Sequence, residues 1–106
     1  MIYTLANITA PAPGTPVPFA SSRTPANWVM ITALNANTSD VYVGGANPAN
    51  KATTLVRSGT STGNRIAKGT SIVFTTISVV TYIDLANLWL DVITANDGIS
   101  ITYGIR

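Results

Sequence analysis

Leu88-Trp89-Leu90-Asp91-Val92-Ile93-Thr94-Ala95-Asn96-Asp97-Gly98-Ile99-Ser100-Ile101-Thr102-Tyr103 is the stretch whose reading decides the fold. Leu88 to Thr94 is an apolar run interrupted by one carboxylate, the pattern of a buried strand. Ile99 to Tyr103 alternates instead, with Ile99, Ile101 and Tyr103 on one face and Ser100 and Thr102 on the other, the period of a half-buried strand. Between them, Asn96-Asp97-Gly98 carries a hairpin signal, because Asp-Gly tolerates the positive φ angles of a primed turn. The stretch reads as a β-hairpin that closes an all-β domain.

The same grammar continues upstream. Asn27 to Leu34 reads as a core strand, Asn35 to Ser39 as a turn cluster, and Asp40-Val41-Tyr42-Val43 as a short strand ending in a bulge or bend at Gly44-Gly45. Thr53 to Arg57 is a further short strand, Ser58 to Asn64 a loop, and Lys68-Gly69 a turn. Thr70 to Thr75 and Ile77 to Ile83 read as two strands or one bent one, and Asp84 to Asn87 as a short connection or single helical turn. No segment carries a helical apolar stripe. Met1 to Thr9 alternates weakly around Ile2, Leu5 and Ile8, and Pro11, Pro13, Pro16 and Pro18 then crowd one segment. Proline lacks the backbone donor, so this segment is expected to run extended along a surface or edge, as an arm to a neighbour or as a connection within the domain.

The chain has 106 residues, enough for one domain. Size scaling gives a folded surface of roughly 5,700 Å² and a core that needs no staples. Only 9% of residues are charged, against about 25% in an ordinary soluble domain. Mean hydropathy is +0.32, and Thr, Ser and Asn supply the polarity. A surface so poor in charge is expected to be covered by neighbours, since interface cores are depleted in charge. The net charge is +2, with no run of bases and no aromatic–basic interleaving, so nucleic acid is not an expected partner. The apolar stretch Ile72 to Ile83 is broken by hydroxyl residues and falls short of a membrane span, and Met1 to Leu5 lacks the features of a secretory leader.

Chemistry is narrowed by elimination. With no His and no Cys, a His-assisted nucleophile is absent, and zinc or copper loses its usual ligands. Neither metal nor cofactor nor small-molecule substrate is expected, and no enzymatic activity. Of the four acids, Asp91 is expected on the solvent or interface face of its strand, Asp84 as a cap or turn former, Asp97 in the hairpin turn, and Asp40 in the turn before its strand. Gly44-Gly45 and Gly59 to Gly63 lack the Gly-Lys-Ser/Thr ending of a phosphate loop and read as turns. Trp28 and Trp89 lie in apolar strand contexts and are expected to pack with the core or at its edge. Tyr42 and Tyr82 are candidates for an interface.

Asp40-Val41-Tyr42-Val43-Gly44-Gly45, Leu55 with the polar loop to Gly69-Thr70-Ser71, Asp84-Leu85-Ala86-Asn87-Leu88-Trp89-Leu90 and Gly98 to Tyr103 together resemble the small β-sandwich virion proteins of tailed bacteriophages, over Trp28 to Tyr103. The resemblance implies a capsid decoration, or cement, protein. Such a protein would be made in the host bacterial cytoplasm and carried on the virion surface as a homo-oligomer, a homotrimer in many cases, bound to the major capsid protein. A tail or baseplate subunit and a host-glycan-binding virion module are the alternatives.

The expected architecture is one β-sandwich or jelly-roll-like domain of about seven to nine short strands. Residues 27–106 form the sandwich, and residues 1–26 an extended N-terminal segment. Its core comprises Val29, Ile31, Val41, Val43, Leu55, Ile72, Phe74, Leu88, Leu90, Val92, Ile99 and Ile101. The expected interface comprises Pro11, Pro13, Pro16, Pro18, Arg57, Arg65, Tyr42 and Tyr82.

Overall fold

A computed structural model describes residues 1–45, 56–57, 60–61, 64–76 and 80–105, with the side chains of all but 56, 57, 60 and 61. Among these residues are twelve strand segments and one turn of 3-10 helix. The strands are β1 (Ile2–Thr9), β2 (Val17–Pro18), β3 (Pro25–Ala26), β4 (Trp28–Ala33), β5 (Val41–Gly45), β6 (Val56–Arg57), β7 (Thr60–Ser61), β8 (Asn64–Ile66), β9 (Ser71–Thr75), β10 (Ile83–Asp84), β11 (Leu88–Val92) and β12 (Gly98–Gly104). Leu55, and with it one expected core position, lies outside the described residues.

The ladders are nested. The first strand pairs with the last, β2 with β11, β3 with β10, β4 with β9, β5 with β8 and β6 with β7, all antiparallel. The chain is thus one long doubled ribbon. A twisted ribbon that is apolar on one side buries that side by rolling up, which here brings β12 beside β4 and β11 beside β5. The product is two four-stranded sheets, β1-β12-β4-β9 and β2-β11-β5-β8, with β3–β10 and β6–β7 as small accessory pairs. The eight strands of the main sheets, wired in this order, form a jelly roll.

Alternation decides what each strand turns inward. Val29, Ile31 and Ala33 from β4, Ile99 and Ile101 from β12, Val41 and Val43 from β5, and Leu90 and Val92 from β11 are fully buried between the sheets. Ile72, Phe74 and Leu88 pack against them partly buried, and Phe19, Ile66 and Leu85 complete the core. The accessible surface is 5742 Å². Residues 1–26 belong to the same layers. Strand β1 is an edge of the first sheet and β2 of the second, while Ala10 and Phe19 are buried. In β1 a bulge between Leu5 and Ile8 lets both side chains reach the core despite their three-residue spacing, and leaves Ile2 facing outward.

Four expectations need correction. The Leu88-to-Tyr103 stretch does form two strands, but not a hairpin: β11 and β12 lie in different sheets, and Thr94 to Asp97 crosses between them. The positive φ falls at Asn96 (70°), while Gly98 already sits in the β12 ladder opposite Thr9. A hairpin needs two mutually unsatisfied edges, and here β12 is paired on both sides, by β1 and β4. Gly44-Gly45 continues β5 and makes no bend, with Gly44 opposite Trp89. Both tryptophans point away from the interior, because the inward positions of their strands are taken by Val29 and Leu90 and their neighbours. Each stands across from a glycine, Trp28 from Gly104 and Trp89 from Gly44, and the flat Trp28 ring fills the space that a side chain at Gly104 would take. Finally, Asp91 is wholly buried, not on an open face.

Candidate interaction surface

The four acids are all held by the chain itself. Asp84 caps the 3-10 turn Leu85–Asn87, its Oδ1 accepting from the amides of Ala86 (3.0 Å) and Thr24 (2.9 Å). Asp91 accepts at Oδ1 from the amides of Gly14 (3.0 Å) and Val92 (2.8 Å). Asp97 bridges two loops, accepting from Thr38 N at Oδ1 and Ser39 N at Oδ2, both at 2.9 Å. Beside it the Asn37 amide group donates to Gly98 O (2.9 Å) and accepts from Gly98 N (2.8 Å). Asp40 pairs with Arg65 on the surface, and its hydrogen bond, with Tyr42 adding to it, raises the pKa of that guanidinium above its ordinary value. Asp84, Asp91 and Asp97 serve the backbone and Asp40 an ion pair, and among the described residues no three potential metal ligands gather.

The eight residues expected at an interface fall in several places. Pro11 and Pro13 are exposed and Pro16 and Pro18 half-buried, on a segment laid along the second sheet. It is held there by the Gly14–Asp91 bond and by the pairing of Val17 and Pro18 with Leu90 and Trp89. Arg65 lies on β8, the opposite edge of that sheet, already paired with Asp40. Tyr42 is buried, as is Asp91 across from it, because the middle of this outer face is covered. Tyr82 is 48% exposed, in the segment between β9 and β10. The backbone of Arg57 belongs to β6, and its side chain lies outside the described residues. Of these residues, Tyr42 and Arg65 are brought together as cross-strand partners on β5 and β8, while the prolines run along the opposite edge.

A different surface is built from all four strands of the first sheet. The outer face of the first sheet carries Ile2 and Thr4 from β1, Ser100, Thr102 and Gly104 from β12, Trp28, Met30 and Thr32 from β4, and Ser71, Val73 and Thr75 from β9. Cross-strand register makes rows of them: Ile2–Gly104–Trp28–Thr75, then Thr4–Thr102–Met30–Val73. The four strands contain no Asp, Glu, Lys or Arg at any position. Val73 is 56% exposed and Ile2 70%, with Met30 at 37% between them. The hydroxyls are partly spent on each other, Thr32 Oγ1 and Ser71 Oγ lying 2.7 Å apart. Met1, Tyr3, Val80 and Tyr82 are also exposed, Tyr3 on the opposite face of β1 from Ile2 and Thr4.

Single-sequence reasoning missed this face because its residues are scattered over four strands far apart in the chain. One signal was present: every charge falls outside these four strands, a segregation visible once the strands are assigned. Among the described residues, no helix is long and apolar enough to cross a membrane. Comparison of the chain with protein-family models, with curated proteins and with solved structures finds no match.

Proposed function

We propose that the chain is a structural, non-enzymatic component of a large assembly, a decoration protein of a bacteriophage capsid, docking through the outer face of its first sheet. The observation that carries this reading is the uncharged face itself. Water-facing sheet surfaces ordinarily alternate apolar with charged or strongly polar side chains, and a contiguous apolar patch on a soluble domain marks a binding surface. A Thr/Ser-rimmed apolar face loses little on desolvation, because it holds no charge to strip of water. The jelly roll is an architecture of capsid and lectin domains, which supports the virion reading without choosing between them. Cementing needs only modest contacts repeated by symmetry over a shell.

Cryo-electron microscopy of particles that carry the chain tests the proposal. The expected result is density repeated over the shell, with the β1-β12-β4-β9 sheet against the capsid protein. Met30→Lys combined with Val73→Lys should abolish attachment while leaving the isolated fold intact, since both side chains are solvent-exposed. Density confined to the tail, or attachment unchanged in the double variant, would overturn it. Binding of the free chain to a glycan array would move the reading to the lectin class.

A further inference from the structure

The four edges of the two main sheets are not alike. In the second sheet, β2 is two residues long and contains Pro18, and β8 is three residues long and carries Arg65. Short length, proline and charge are the devices by which proteins keep sheet edges from pairing with other chains. In the first sheet, β9 offers five residues and β1 eight. Strand β1 (Ile-Tyr-Thr-Leu-Ala-Asn-Ile-Thr) has no charge and no proline, and most of its residues are exposed. Among the described residues its one protection is the bulge after Leu5, which leaves Ile2 to Leu5 in regular register with β12.

The free groups on that edge can be assigned. Met1 and Ile105 exchange both backbone hydrogen bonds, Met1 N to Ile105 O at 2.9 Å and Ile105 N to Met1 O at 3.0 Å. In an antiparallel ladder, bonded and non-bonded pairs alternate. Tyr3 and Leu5 therefore bond to β12, whereas the N–H and C=O groups of Ile2 and Thr4 point away from it, to the open side.

From this geometry we infer that β1 pairs antiparallel with β1 of a second copy of this chain, about a two-fold axis at Tyr3, joining two four-stranded sheets into one of eight strands. In that register Ile2 of one copy bonds reciprocally with Thr4 of the other, and the reverse, so the outward donors and acceptors of both residues are satisfied. Tyr3 meets Tyr3 as the non-bonded pair between them. Three features favour a second copy over a foreign strand. The side chains of the edge are uncharged, so a two-fold axis sets no like-charged side chains against each other, and the Met1 ammonium is engaged by Ile105 O. With Met1, whose bonds to Ile105 continue the ladder, the regular stretch runs from Met1 to Leu5 and is centred on Tyr3, which suits a self-complementary register. An isologous contact also closes after two copies, so an open edge of this kind does not grow into a fibre. The contact is small and belongs to the weak, reversible class. It rests on the edge geometry alone and stands or falls separately from the decoration proposal.

Sedimentation velocity of the isolated chain from about 10 µM to about 1 mM tests it. The expected result is a concentration-dependent monomer–dimer equilibrium. Thr4→Pro removes an outward donor that β12 does not use, and Thr4→Lys places like charges near the axis. Each should weaken dimerisation at least about tenfold with an unchanged circular dichroism spectrum. Val73→Lys, on the same face but at the opposite edge of the sheet, should leave the dimer as it was. If Thr4→Pro fails to fold, Thr4→Lys and hydrogen exchange of the wild type decide: the Ile2 and Thr4 amides should gain protection as concentration rises. A monomer over the whole range, a trimer, or a dimer that survives Thr4→Lys would overturn the inference.

Discussion

Gly98 and Gly104 stand at the two ends of β12, and a methyl group at either would meet different neighbours. At Gly98 it would collide with the carbonyl oxygen of Ile8, at Gly104 with the ring of Trp28. A ring on an outer face can slide; a carbonyl in the ladder cannot. Gly98→Ala is therefore expected to cost about 2–3 kcal/mol and Gly104→Ala nearer ~1 kcal/mol, read from urea unfolding at constant m. The carboxylates allow a similar contrast. Asp97 accepts on both oxygens, whereas Asp84 uses Oδ1 for both its bonds. Replacing carboxylate by amide turns one acceptor into a donor, so Asp97→Asn should destabilise by about 1–3 kcal/mol and Asp84→Asn by well under half of that. Equal costs would mean that the loop bridge at Asp97 contributes little.

The crossover from β11 to β12 turns on Asn96, the one non-glycine residue with positive φ among those described. Asn tolerates this region because its short polar side chain bonds locally, while a β-branched residue does not. Asn96→Gly should change thermal stability little, and Asn96→Val should lower stability by about 1–2 kcal/mol in calorimetry. This connection also marks how far the sequence could be read. The faces of β4, β11 and β12 were legible, because alternation or an apolar run states which side chains go inward: Val29, Ile31, Leu90, Val92, Ile99 and Ile101 are buried as expected. Which strand lies beside which was not legible, because partner choice depends on residues far along the chain. Asp-Gly marked a turn correctly and its type wrongly. The candidate face was less legible still, since Ile2, Met30 and Val73 become neighbours only through two ladders.

At the scale of the molecule the order is nesting: among the described residues nearly all pairing joins the first and second halves of the chain. Such pairing must close long loops before contacts reward it, so folding is expected in the millisecond-to-second range, not microseconds. Stopped-flow refolding measures this, and a sub-millisecond phase carrying the full native signal would contradict the nested order as the kinetic bottleneck. Jelly-roll wiring was within reach of the sequence only as a class, through strand rhythm and low charge. The roll itself follows from the ribbon's twist and its one apolar side.

The bonds between Met1 and Ile105 set the two ends of the described chain side by side, at the open end of the doubled ribbon. A tensile load applied through those ends runs across the β1–β12 ladder, not along it. The rungs then fail singly, as a zipper's do, and never share the load as strands pulled in shear would. Optical tweezers holding both ends should find this jelly roll mechanically soft, peeling from β1 and β12 inward. A load entering through the broad face of the first sheet would meet all four strands at once, so the molecule's stiffness depends on where it is gripped.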